Sequence, residues 1–135
     1  TTYKEYLTKY IEVARNSAAQ PVLLTSIQRR SFDENGIIQD THGDYLVAMR
    51  ELAKELNVPL IDMSEKSKPF FEELGPEKTK EIFLWVKPGE TPNYPEGVED
   101  NTHFSEKGAK EMARFVVEGI LEEQIKPLVN FIKSK

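Results

Sequence analysis

Cysteine is missing from all 135 residues, so neither disulfides nor thiolate metal ligands can contribute, and the compartment is left open. Long apolar runs are missing as well; none approaches the roughly 18–20 residues that span a bilayer, so no membrane partner is expected. There is no basic excess. Eighteen Lys and Arg face 23 Asp and Glu, for a net charge of −5 and a pI near 5.2. Phosphate binding needs clustered positive charge, so no nucleic-acid partner is expected either. The N-terminus lacks a charged-then-apolar signal, because Thr1-Thr2-Tyr3-Lys4-Glu5 opens directly into a helical pattern. That opening leads us to expect that something precedes it. Histidine occurs only at positions 42 and 103. Internal repeats, low-complexity tracts and interdomain linkers are absent. What remains, 39% hydrophobic and 30% charged, is the composition of one ordinary globular domain.

Tyr3, Tyr6, Leu7, Tyr10, Ile11 and Ala14 recur at helical spacing and predict an amphipathic helix within residues 1–19. Val22–Ile27 then reads as a short strand, apolar on both faces as a central parallel strand would be. A helix leading into a buried strand is half of a right-handed crossover. Gln28–Thr41 is polar and irregular, a loop at the carboxyl end of the sheet, where open α/β folds bind ligands. Arg29 and Arg30 lie in it and are candidates to fork onto a carboxylate; the alternative is ordinary surface charge. His42 reads as a surface or capping residue.

A second apolar stripe (Tyr45, Met49, Leu52, Ala53, Leu56) precedes a second short strand, Val58–Met63. Asp62 at its end reads as a turn or capping residue. Ser64 caps a helix running to about Gly75 with Phe70, Phe71 and Leu74 toward a core. Ile82–Val86 is a strand or a buried segment, and its Trp85 is either core or a platform for a sugar ring. Lys87–Gly97 carries three prolines and two glycines; it is a stiff loop expected to wall any cleft around His103, with Tyr94 as a candidate ligand contact. Ile120–Phe131, broken at Pro127, closes the flank of the sheet.

The remaining stretch organises the others. Asp100 precedes His103 by three residues, and Ser105 is a good N-cap for a helix whose apolar positions are Ala109, Met112, Ala113, Val116 and Ile120. Asp100 and His103 therefore sit in a tight turn entering a helix, where side chains at i and i+3 can meet. The carboxylate would hold one imidazole nitrogen and leave the other to accept a proton, which is the supporting half of a Ser-His-Asp site.

Asp100-Asn101-Thr102-His103-Phe104-Ser105-Glu106-Lys107-Gly108-Ala109 resembles the C-terminal Asp-x-x-His block of the SGNH (GDSL-type) hydrolases, close to the rhamnogalacturonan acetylesterase branch. The helix–strand–helix series tracks the same family over most of the chain. The resemblance implies an α/β fold, part of a three-layer α/β/α flavodoxin-like doubly wound parallel sheet. It implies that Asp100 is the triad aspartate and His103 the general base. It also implies an acetylated acidic sugar as substrate, which Arg29, Arg30, Trp85 and Tyr94 would contact, with neither metal nor cofactor.

The family's Gly-Asp-Ser nucleophile block and its oxyanion-hole glycine and asparagine are not among these residues. Gly43 opens Gly-Asp-Tyr, and none of Ser17, Ser26, Ser31, Ser64 and Ser67 stands in a Gly-Asp-Ser or Gly-x-Ser-x-Gly setting. Two strands and a doubtful third cannot make a parallel sheet covered on both faces. Residues 1–135 are accordingly expected to be the C-terminal part of a single SGNH hydrolase domain, inactive alone and partnered by its N-terminal half. The rival reading is a non-catalytic carbohydrate-binding or assembly module. A metal site from His42, Asp44, Asp100 and His103 is weaker, because the histidines lack i, i+4 spacing.

Overall fold

The structure, a computed structural model, describes residues 2–133. The described residues form, in chain order, the α-helices and strands α1 (Tyr3–Asn16), β1 (Leu23–Leu24), α2 (Asp44–Glu55), β2 (Leu60–Ile61), α3 (Met63–Lys78), β3 (Phe83–Val86), β4 (Val98–Phe104) and α4 (Glu106–Glu122). The fold is α/β. Two compact units divide the chain, one formed by Thr1–Ser26, His42–Ser64 and Val116–Lys135, the other by Ile27–Thr41 and Glu65–Phe115.

The first unit contains a parallel pair, β1 with β2, in the register Leu23 to Leu60 and Leu24 to Ile61. Ile11 of α1, Leu23, Leu52 and Ala53 of α2, and Val58 form its buried cluster. Both strands are shorter than their apolar runs predict. Leu24 is also 40% exposed, so β1 is covered on one face only among the described residues. In α1, Tyr6 and Tyr10 are exposed rather than packed with Ile11, a correction to the single apolar face expected. Asp62 ties the strand ends together: it pairs with Arg50 Nε at 2.7 Å and accepts the Thr25 hydroxyl at 2.8 Å. The Thr25 hydroxyl oxygen in turn accepts the Ser64 N–H at 2.9 Å. Asp62 is thus structural, as its place at a strand end suggests.

The second unit is built on an antiparallel pair, β3 with β4. Five phenylalanines connect its elements through ring contacts: Phe115 to Phe70 at 5.4 Å, Phe70 to Phe71 at 5.7 Å, Phe71 to Phe83 at 5.1 Å and Phe83 to Phe104 at 5.2 Å. Phe71 and Phe83 are fully buried. Such aromatic pairs add about 0.5–1.5 kcal/mol each beyond area burial. The α3 helix is interrupted at Gly75 (φ 74°), where Pro76 begins a further turn. Gly108 of α4 lies against the Ile82 carbonyl, where a Cβ would overlap the backbone oxygen. The buried positions of α4 in this unit are Gly108, Met112 and Phe115, so Ala109 and Ala113 face outward, contrary to the stripe expected from apolarity alone.

Candidate active site

Asp100 and His103 lie in β4 rather than in a free turn, but β4 is irregular where they sit. Phe83 pairs with Phe104 and the next residue, Leu84, pairs with Asp100, so Asn101, Thr102 and His103 bulge out between two anchored neighbours. The strand's polarity hid it: only its ends carry apolar residues, and most of its side chains are exposed.

Within the bulge, Asp100 Oδ1 accepts the backbone N–H of Thr102 at 2.7 Å and of His103 at 2.8 Å. Its Oδ2 stands 2.7 Å from His103 Nδ1. The two backbone donors, the one from His103 first, and then the imidazole contact hold the Asp100 carboxyl well below its ordinary 3.8, at about 2. Asp100 is therefore ionised at neutral pH and can only accept. Nδ1 must carry the proton shared with it, and the lone pair lies on Nε2. The Asp100 side chain is 25% exposed and that of His103 is 76% exposed, so the ring is open to an incoming group.

Ser105 is fixed as the helix cap. Its hydroxyl donates to the Glu81 carbonyl at 2.6 Å and its oxygen accepts the Gly108 N–H at 3.1 Å, so it is no nucleophile for His103. Ser64 and Ser67 are buried. The remaining candidates distribute differently from the sequence expectation. Arg30 offers no fork to a ligand: Nε and Nη2 donate to the Pro76 carbonyl at 3.2 and 2.6 Å, and Nη1 donates to Asn101 Oδ1 at 3.1 Å. Arg29 is exposed, with Nη1 3.4 Å from the Thr41 hydroxyl. Trp85 has the Arg30 guanidinium 4.9 Å and the Lys80 ammonium 4.8 Å from its ring centroid, and its Nε1 donates to Asn101 Oδ1 at 3.0 Å. Asn101, whose partners are distant in sequence, is the residue that sequence reasoning missed.

A cavity of about 640 Å³ lies beside Trp85, Val86, Lys87, Pro88 and Val98. The proline-rich loop walls this space, and neither His103 nor Tyr94 is among its lining residues. Tyr94 is 38% exposed on the loop. His42 directly precedes Gly43, the N-cap of α2. Among the described residues no group of three or more His, Cys, Asp or Glu is gathered as a metal ion would require.

No family model matches the chain. Two proteins of Bacillus subtilis (strain 168) are similar to all of it: the rhamnogalacturonan acetylesterase RhgT at 53% identity, and the probable rhamnogalacturonan acetylesterase YesY at 42%. The chain spans 58% of the length of each. The crystal structure of the Bacillus subtilis protein YXIM superimposes on 91% of the chain and 31% of its own length, with a TM-score of 0.73 at 25% identity. The stretch that both acetylesterase-named proteins share with this chain includes the bulge, its flanking strands and its helix.

Proposed function

We propose that this chain carries the general-base half of a serine carbohydrate esterase that removes acetyl groups from a pectic polysaccharide or oligosaccharide. The observation that carries the reading is the 2.7 Å contact between Asp100 and the outward-facing imidazole of His103. The names of the two relatives support the substrate class. The attacking serine hydroxyl and the oxyanion donors come from a part of the enzyme outside these 135 residues, the N-terminal half of the same domain.

In this scheme Nε2 of His103 accepts the serine proton as the hydroxyl oxygen attacks the acetyl carbonyl, and Asp100 stabilises the imidazolium that forms. The imidazolium then protonates the departing sugar oxygen, leaving an acetyl-serine. Water attacks that ester by the same relay and acetate leaves. Arg29 and Tyr94, both exposed, are the residues of this chain left to meet an acidic sugar, and the cavity beside Trp85 is the place for a neighbouring sugar unit.

Acetate release from acetylated rhamnogalacturonan oligosaccharides tests the proposal. The chain alone should release none. Assembled with the rest of the domain it should be active, and His103→Ala should lower kcat by about 10²–10⁴-fold. Unchanged release in that variant overturns the assignment and favours a non-catalytic carbohydrate-binding or assembly role.

A further inference from the structure

We infer that Asn101 is a positioning residue for the Asp100–His103 pair, gripped from behind by Arg30 and Trp85. Its amide oxygen accepts two donors, Arg30 Nη1 at 3.1 Å and Trp85 Nε1 at 3.0 Å. Its backbone carbonyl accepts the Arg30 N–H at 3.0 Å. Asn101 is thus held at three points by two residues, one of them from a loop 71 positions away and the other from the facing strand.

The grip is itself braced. Arg30 Nη2 reaches the Pro76 carbonyl at 2.6 Å, and Nε reaches the hydroxyl of the fully buried Thr79 at 3.2 Å. Its guanidinium also lies over the indole that shares Asn101 with it. A planar fork fixed by four hydrogen bonds to three acceptors, and by one ring, has little rotational freedom left, and charge-assisted bonds are stronger than neutral ones.

The need for such a device follows from the register. Asn101, Thr102 and His103 have no partners across β3, so the ladder cannot fix their backbone. Asp100 meets its two backbone donors only if the chain turns sharply straight after it, and Asn101 is the residue at which it turns. Anchoring Asn101 substitutes for the missing ladder bonds and sets the direction in which the carboxylate faces the imidazole. The catalytic meaning of this role rests on the esterase reading; the geometric role does not.

The test reads the pair directly in this chain by NMR. ¹⁵N shifts of His103 in base report the tautomer, and the Asp100 ¹³Cγ shift reports the carboxyl titration. In Asn101→Ala the Nδ1–H tautomer should give way to the Nε2–H form that free imidazoles favour, and the Asp100 midpoint should move up from about 2 toward 3.8. Asn101→Asp keeps an acceptor for Arg30 and Trp85 and should retain the Nδ1–H tautomer. A merely structural role would not separate these two variants at equal thermal stability. Should Asn101→Ala not fold, Trp85→Phe, which removes one donor and keeps the ring under Arg30, is expected to shift the same signals in the same direction. Wild-type signals in the folded variant overturn the inference. If the signals shift as expected but the assembled domain releases no acetate, the esterase reading fails and the positioning role stands. If the domain is active, kcat should fall at least tenfold in Asn101→Ala with KM within about twofold.

Discussion

Asp100 is governed by three short contacts, two of them to backbone. A carboxylate that accepts two N–H donors is favoured in its charged form, and the imidazole adds to this. The sign of the consequence is fixed. Because the folded carboxyl lies below the ordinary 3.8, the stability it contributes is complete above that value and is lost as pH falls through about 2. An Asp100→Asn variant should therefore lose acid-dependent stability only in that window, and urea midpoints measured from pH 5 to pH 2 should converge with wild type at the acid end. A constant difference across the window would show that the carboxylate has no linkage to folding. The Asp–His pairing was legible because i, i+3 spacing in a turn is a local property. Arg30 was not: two adjacent arginines on a loop read as a ligand fork, and only the folded chain shows Pro76 and Asn101 taking every direction of one of them.

Helices were legible where periodicity is strong and caps are chemically distinct. Ser105 announces α4 and the structure uses its oxygen for the Gly108 N–H. The phase of α4 was not legible, because glycine reads as a helix breaker while here it is the contact residue. A Cβ at Gly108 would overlap the Ile82 carbonyl oxygen, and a backbone atom cannot rotate away. In an exposed helix interior Gly→Ala stabilises by about 0.5–1 kcal/mol. At this position the sign should reverse, with Gly108→Ala costing about 1–3 kcal/mol as overpacking does. Equilibrium denaturation measures it, and Ala109→Gly, on the outward face, provides the contrast with a loss near the ordinary propensity difference. A stabilised Gly108→Ala would mean that α4 and the Ile82 backbone do not approach as closely as the geometry requires. β4 escaped notice for a related reason. Its Glu99-Asp100-Asn101-Thr102-His103 sequence has no apolar alternation, and its pairing is imposed by the apolar run of β3.

At the scale of the molecule the strand positions were readable but their extents were not, since a strand's length is set by the partners it finds. Val22–Ile27 has the composition of a strand buried on both faces, yet only Leu23 and Leu24 pair, and Leu24 is 40% exposed. Bonds that flank that pair run from Leu23 N–H to the Pro59 carbonyl at 2.9 Å and from Thr25 N–H to the Ile61 carbonyl at 3.2 Å. Parallel sheets persist when both faces are covered, and two isolated strands are marginal in water. The same unit exposes Tyr6, Tyr10 and Val13 along α1 at i, i+4 and i+7. These features fit a sheet that is completed by the remainder of a domain, in keeping with a chain that spans 58% of its relatives. Hydrogen exchange distinguishes the two conditions. In the chain alone the Leu23 and Thr25 amides should open locally and exchange quickly. In the assembled domain they should join the global unfolding unit and slow by more than about 10²-fold. Equal protection in both forms would mean that this short parallel pair is stable as it stands, and the proposal that these residues complete their sheet with strands from elsewhere would fall with it.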